Sequence, residues 1–338
     1  MKTTLKDIAK ETSLSISTVS RVLRGETSPH NKNTDIVLQA AKELNYEADT
    51  IKTGGNSRKS NRKRIAIVTK PMTGEFYADF FNGFVVTAEK TDIDITLVNR
   101  QEEIEPLTEY LATLPDEFYD AAILFYPKLK PNQYLKILKV LPDDFPIISL
   151  ASVVNPVIDT TTFDSYRGGY IVAEHFHQLG YKKVGIITGP VKWTEPFLRR
   201  NGFVDYAKFR SPMELGWECE GDYNIDSGKK AFSQFKKLDD RPGAVFVSND
   251  YMALGFMIDA MNAGFKVPDD IAICGYDDLE ISENFSPSLT SVHTDFKLLA
   301  ENVYRMIEER WSTKSPNNGL LNLLPVSLKI RNSTRPAK

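Results

Sequence analysis

TLKDIAKETSLSISTVSRVLRG, residues Thr4–Gly25, decides how the N-terminal end of this chain folds. Thr4 followed by Asp7 has the spacing of a capping box, so a first helix is predicted over Leu5–Glu11 with Ile8 and Ala9 turned inward. Ser13-Leu14 makes the turn. Ser15 caps a second helix, Ile16–Leu23, whose buried stripe is Val19, Val22 and Leu23, and Gly25 ends it. A third helix is predicted from about Thr34 to Leu44, with Val37, Leu38, Ala41 and Leu44 at helical spacing. Three short helices around so few apolar side chains make a minimal core. Such a unit usually presents its second helix to the major groove of DNA.

The charge distribution points the same way. Residues 1–64 carry 13 Lys and Arg against 7 Asp and Glu, a net of +6, and the remainder carries 29 against 38, a net of −9. A basic module on an acidic body suits nucleic-acid binding, and equally a solvated charged tail. Residues 49–64 (DTIKTGGNSRKSNRKR) have linker composition: two adjacent glycines, six Lys or Arg and almost nothing apolar. From residue 65 onward the pattern changes. Strands are predicted at Ile65–Thr69, Ile95–Asn99, Ala121–Tyr126, Ile147–Ala151, Val184–Thr188, Ala244–Ser248 and Ile271–Gly275. Between them lie amphipathic stretches at Tyr77–Thr91, Pro131–Leu141, Tyr166–Leu179, Glu195–Phe209, Ser227–Lys237, Tyr251–Ala263 and Phe296–Trp311. Alternation of this kind makes an α/β fold with parallel sheets, and the length calls for two α/β subdomains. Ligands of such sheets bind at the carboxyl ends of the strands, so a cleft between the subdomains is the natural pocket.

Other classes find little support. The first residues carry no long apolar run, so no signal peptide is read and a cytoplasmic location is expected. Cys219 and Cys274 have no metal or redox spacing. His175 and His177, two apart in a helical stretch, point in different directions and make poor joint metal ligands. His293 suits a hinge or satisfied-core role. No catalytic constellation, metal site or cofactor motif is recognised, and the chain is not expected to be an enzyme.

The segment Thr4–Gly25, with AAKELNY after it, closely resembles the headpiece of the lactose-repressor/galactose-repressor (LacI/GalR) family of bacterial transcriptional regulators. The resemblance implies that Ile16, Ser17 and Arg21 read bases, and that Thr18, Ser20 and Asn31 contact phosphates. The chemistry agrees in part, since Arg21 can bond a guanine edge bidentately and Ile16 can pack on a thymine methyl. The resemblance also implies a homodimer on a pseudo-palindromic operator. Many family members wedge a hinge leucine into the minor groove. No leucine occurs here between Tyr46 and Ile65, Gly54-Gly55 stand near the wedge position, and Ile51 is the only bulky apolar residue. Lys52, Arg58, Lys59, Arg62, Lys63 and Arg64 are therefore expected to supply phosphate attraction, with steep salt dependence and little DNA bending.

The rest of the chain resembles the same family's regulatory core, which has a periplasmic-binding-protein-like fold. The markers are EFYADFFNGF, YKKVGIITG, FLRRNGF, EGDYNIDSG, VFVSNDYMALG, IAICGYDD and SLTSVHTDF, in that order. The implied organisation is a headpiece over 1–48, a linker over 49–64 and a core over 65–338. Within the core, one subdomain takes about 65–162 and 294–322, the other about 163–292 and 323–338. Carried over residue by residue, Arg199, Asn249 and Asp277 are effector contacts at strand ends, and Tyr223 is an aromatic platform. Phe76 and Tyr77 wall the other side, Arg100 is a further donor, and Asp250 is a helix cap. Where many sugar-binding members carry an aspartate this chain has Leu150-Ala151, and where some have a glutamine it has Thr294. The expected function is repression of carbohydrate-metabolism genes under allosteric control by a sugar-type effector. Three alternatives remain. One is a solute receptor of a transport system, which lacks its export signal here. Another is a carbohydrate-active enzyme with an acquired DNA-binding domain. The third is a repressor that docks a protein corepressor through Arg305, beside Glu308 and Glu309.

Overall fold

The computed structural model describes residues 3–23, 32–44, 46, 62–71, 73–100, 103–151 and 155–335. The headpiece opens as its capping residues dictate. The Asp7 carboxylate accepts from the Thr4 backbone N–H at 2.8 Å and from the Thr4 hydroxyl at 2.7 Å. These bonds, ahead of a pull from Lys10, hold the Asp7 carboxyl below its ordinary range. Helix α1 (Leu5–Thr12) ends at Ser13, which takes the left-handed conformation at φ 54°. The Ser15 hydroxyl then accepts the Thr18 N–H at 3.1 Å and starts α2 (Ile16–Leu23). With α3 (Lys32–Glu43) they enclose Ile8, Ala9, Val19, Val22, Val37, Ala40 and Ala41. Leu38 does not join them. It is 50% exposed, because the inward stripe of α3 runs through residues 37, 40, 41 and 44, and position 38 is rotated about 100° from it. Gly25 lies outside the described residues.

The core alternates strand and helix. In chain order come β1 (Lys63–Thr69), α4 (Glu75–Ala88), β2 (Ile93–Asn99), α5 (Ile104–Thr113), β3 (Ala121–Phe125), α6 (Pro131–Leu138), β4 (Ile147–Ser149) and β5 (Asp159–Phe163). The chain then crosses to α7 (Ser165–Gln178), β6 (Lys183–Thr188), α8 (Thr194–Phe209), β7 (Glu214–Glu220), α9 (Ile225–Phe235), β8 (Ala244–Val247), α10 (Asp250–Asn262), β9 (Ala272–Asp277), α11 (Glu280–Asn284) and β10 (Thr290–His293). It returns through α12 (Phe296–Thr313) and β11 (Leu321–Leu324) and crosses once more to β12 (Ser327–Lys329). The first sheet has the order β11-β5-β4-β3-β1-β2, all parallel; the second has β12-β10-β9-β8-β6-β7, with only β12 antiparallel. Each sheet is covered on both faces, which is why its central strands are apolar along their length.

Three expected boundaries shift, one of them because β5 keeps Phe163 in the first sheet. Strand β1 starts at Lys63, inside the expected linker, and β11 keeps residues 323 and 324 in the first sheet because they pair with β5. Strand β5 was not expected at all, because DTTTF reads as polar. Its threonines are buried and bonded: Thr160 to the Ile158 carbonyl at 2.9 Å, Thr161 to the Met306 sulfur at 2.9 Å. Where β5 starts, fully buried Asp159 accepts from Arg310 Nε at 2.8 Å and Nη2 at 2.5 Å, while its second oxygen accepts the Leu320 N–H at 3.0 Å. Arg310 also donates to Ser315, the Pro316 carbonyl and Asn318, and so fixes the turn from α12 to β11. In the second subdomain α7 and α8 cross at two glycines. A Cβ on Gly169 would fall inside van der Waals contact with the Arg199 carbonyl, and one on Gly202 would do the same with the Tyr166 carbonyl.

Candidate functional site

On α2, Ile16 is 44% exposed, and Ser17 and Arg21, four apart, share an exposed face. Thr18 and Ser20 are half-buried beside it. The Ser17 and Thr18 hydroxyls each lie 2.8 Å from that of Ser15, so they are pre-oriented around the helix start. Asn31 and the linker residues Ile51, Lys52, Gly54, Gly55, Arg58 and Lys59 lie outside the described residues. Three of the six linker cations are already engaged by the core. Arg62 pairs with Asp94 at 2.9 Å and donates to the Ile93 carbonyl at 2.6 Å, Lys63 pairs with Asp120 at 3.0 Å, and Arg64 lies 5.0 Å from the centre of the Tyr119 ring. Arg62, Lys63 and Arg64, expected to attract phosphate, are thus anchored on the core with their side chains still partly exposed.

Between the subdomains lies a cavity of about 220 Å³. Its lining comes from the carboxyl ends of strands in both sheets, as expected of open α/β sheets. Phe76, Tyr77, Arg199, Tyr223, Asn249 and Asp277 all line it. Phe76 and Tyr77 sit in the first turn of α4 rather than in the loop before it. Arg100 does not line it. Strand β2 is the sheet edge, so the residue that follows it is carried away from the cleft; its guanidinium stacks on Tyr110, 4.0 Å from the ring centre.

The polar centre of the cavity is Arg199 and Asp277. The Arg199 guanidinium lies 3.6 Å from the Tyr276 ring centre, its Nη1 donates to the Ser248 carbonyl at 2.6 Å, and Nη1 is 3.8 Å from Asp277 Oδ1. Arg199 Nε and Asp277 Oδ1 are buried without a hydrogen-bond partner among the described residues. Burial pushes the Asp277 carboxyl well above its ordinary range, with Arg199 opposing and Asp250 reinforcing. Asp277 also holds a backbone φ of 108°, outside the regions that β-carbon residues favour. Unpaired buried polar atoms beside a strained backbone are a costly arrangement, and a ligand that supplies the missing partners would relieve it.

Asn249 caps α10: its Oδ1 accepts the Met252 N–H at 3.0 Å, and its Nδ2 donates to the Tyr223 carbonyl at 3.0 Å. One amide hydrogen is left for the cavity. Asp250, expected as the cap, instead accepts from the Ser291 hydroxyl at 2.6 Å and the Leu279 N–H at 2.9 Å, and so fixes the turn after β9. Burial raises the Asp250 carboxyl to about 6. An acid that holds its proton more tightly when folded adds stability below the ordinary carboxylate range and loses it as the pH rises through 6. Stability to urea should therefore drop by about 2 kcal/mol between pH 4 and pH 6, and Asp250→Asn should flatten that segment.

Sequence reasoning missed Trp193 and Glu195, which line the cavity from the start of α8, and Phe125, Phe163 and Phe296, which line it from the first subdomain. The available signal was position: each stands at the carboxyl end of a strand or opens the helix after one. A clasp joins the two subdomains beside the cavity. The Glu75 N–H donates to the Tyr251 hydroxyl at 3.0 Å, and the Glu75 carboxylate accepts the Ile281 N–H at 3.1 Å. His293, at the end of β10, pairs with Asp278 at 2.8 Å, and Arg331 holds the other Asp278 oxygen at 2.7 Å. His175 contacts Thr334 and His177 contacts Tyr206, so the two rings diverge. Among the described residues no group of three metal-ligating side chains occurs, and no helix is long and apolar enough to cross a membrane.

A DNA-reading headpiece carried on a ligand-cleft core defines a transcriptional regulator. Residues 4–49 match the family described as bacterial regulatory proteins, lacI family, and residues 173–334 match the periplasmic binding protein-like domain. The chain is 29% identical to the HTH-type transcriptional repressor PurR of Mannheimia succiniciproducens and 27% identical to that of Photobacterium profundum, in each case over 98% of both chains. The crystal structure of the lac repressor dimer bound to operator and the anti-inducer ONPF is 26% identical, with a TM-score of 0.72, over 99% of this chain and 100% of that one. A complex of the regulator CelR with cellobiose, 24% identical and with a TM-score of 0.69 over 98% of this chain and all of that one, shares the fold. The chain belongs to the lactose-repressor/galactose-repressor family and is a DNA-binding transcriptional repressor.

Proposed function

We propose that this repressor controls carbohydrate-metabolism genes and that a sugar-type effector, bound between its two core subdomains, sets its affinity for the operator. The observation that carries this reading is the pairing of buried Arg199 and Asp277, each with an unpartnered polar atom, at the centre of the cleft. A forked donor beside an acceptor suits adjacent hydroxyls on a ring. The relatives' ligands lend support: cellobiose in the CelR complex, and ribose in a LacI-family regulator from Enterococcus faecium. Two headpieces must read two half-sites together, so the working form is a homodimer, as in the lac repressor dimer on its operator. Effector binding changes the angle between subdomains, and through it the spacing of the headpieces. A ligand does this only as far as it prefers one angle to the other.

The test is a thermal-shift panel of mono- and disaccharides, their phosphates and nucleobases. A ligand at about 100 times its dissociation constant stabilises by roughly 2.7 kcal/mol, several degrees for a domain of this size. One sugar class should raise Tm, and Arg199→Ala should abolish the rise. A panel without any sugar response sinks the sugar reading and leaves the DNA-binding function standing.

In the headpiece we propose that Ile16, Ser17 and Arg21 read bases while Thr18, Ser20 and Asn31 hold phosphates. Arg21→Ala should cost about 1–3 kcal/mol at the operator and flatten preference at one base position. Equal loss on every sequence in a mobility-shift assay would instead mark Arg21 as a phosphate contact.

A further inference from the structure

Among the described residues three charged side chains line the cavity, Glu195, Arg199 and Asp277, so two acids share one cation. That cation is already committed to the protein. Its Nη1 donates to the Ser248 carbonyl, its guanidinium lies against Tyr276, and Asp277 is 3.8 Å away. Asp277 Oδ1 is nonetheless buried without a hydrogen-bond partner, on a side chain only 6% exposed. Glu195 stands one turn before Arg199 on the same face of α8. Much of the remaining lining is aromatic, with Tyr77, Tyr223 and Tyr251 among the rings. Both acids act on Tyr223. Burial pushes its hydroxyl above the ordinary range, Arg199 opposes, and Glu195 and Asp277 add to the rise. Tyr77 is raised by burial and by Asp277. Lys70 and Lys128 stand at Trp193, 5.9 and 5.3 Å from its ring centre, and are not part of the lining.

Resting on the sugar reading above, we propose that the effector is an amino sugar, in which a protonated amine replaces one hydroxyl and is held by Glu195 beside Tyr223. Two carboxyl groups next to aromatic rings, in a cleft shielded from water, favour a positive charge on the ligand. A neutral sugar leaves the surplus acid of the lining uncompensated, and an ammonium compensates it. An ammonium also brings three donors and no acceptor, which suits a lining whose buried Asp277 oxygen lacks a donor. The ring hydroxyls keep Arg199 and Asn249. The lysines at Trp193 repel an ammonium placed there and so direct it inward, toward Tyr223. N-acetylation removes the charge and with it the advantage.

The experiment is isothermal titration of the full chain with glucosamine, galactosamine and mannosamine, each beside its parent hexose and its N-acetyl derivative, at a pH that keeps the amine protonated. For the sugar that binds, the amino form is expected to bind at least about tenfold tighter than the parent hexose and the N-acetyl form. Glu195→Gln should narrow that ratio to less than about threefold, with ligand-free melting confirming that the variant is folded. Equal affinity for the amino sugar and its parent hexose overturns this inference while the sugar effector stands. A preference for the amine that Glu195→Gln leaves intact overturns it as well. Binding by no sugar, amino or neutral, overturns the sugar reading and this inference together.

Discussion

Gly202→Ala should weaken effector binding at least tenfold, although residue 202 is absent from the cavity lining. The added methyl collides with the Tyr166 carbonyl on α7, and the neighbouring crossing at Gly169 already brings that helix against the Arg199 carbonyl. Neither backbone can yield without moving α8. That helix carries Arg199, whose guanidinium is held on Tyr276 and on the Ser248 carbonyl. A shift of about 1 Å is enough to break contacts of this kind. Overpacking also costs about 1–3 kcal/mol, several degrees in Tm. Operator affinity measured without effector should stay close to that of the parent, because the headpiece has its own core. A Gly202→Ala protein with parental melting and parental effector affinity would show that the helices do not approach as closely as described.

The second large effect falls in the other subdomain. Arg310→Leu leaves the Asp159 carboxylate fully buried without its cation, a change that costs about 3–5 kcal/mol. It also frees the turn through Ser315, Pro316 and Asn318 that delivers β11 to its place beside β5. Replacing both members, Arg310→Leu with Asp159→Asn, should recover a good part of the loss, since the uncompensated charge is then gone. Urea unfolding of the single and double variants measures this directly. If the double variant is as unstable as Arg310→Leu alone, the tether to the turn matters more than the buried charge.

The parallel core was legible because buried parallel strands must be apolar throughout, and Ile65–Thr69 or Ala244–Ser248 announce themselves. Strand β5 was not, because threonines whose hydroxyls find buried partners look polar in one dimension. The short edge strands β11 and β12 carry too few residues to show alternation. In the cavity, Arg199, Tyr223, Asn249 and Asp277 were placed by the family resemblance; Asn249 and Asp277 do stand at strand ends, whereas Arg199, expected at one, lies inside α8. Arg100 could not be placed, since it too follows a strand and only the lateral order of strands reveals that its strand is the edge. The same gap hid the partners of Arg62, Lys63 and Arg64. Their charges are plain in the sequence, whereas Asp94 and Asp120 reach them only after folding. Asp250 looked like a cap because it precedes a helical run, and Asn249 one residue earlier takes that place.

The clasp formed by Glu75, Tyr251 and Ile281 has a kinetic meaning. Tyr251 both lines the cavity and holds the opposite subdomain, so widening the cleft on that side requires those two hydrogen bonds to part. Where ligand exchange needs that widening, Tyr251→Phe, which removes one of the two bonds and leaves the one between Glu75 and Ile281, is expected to speed both arrival and escape.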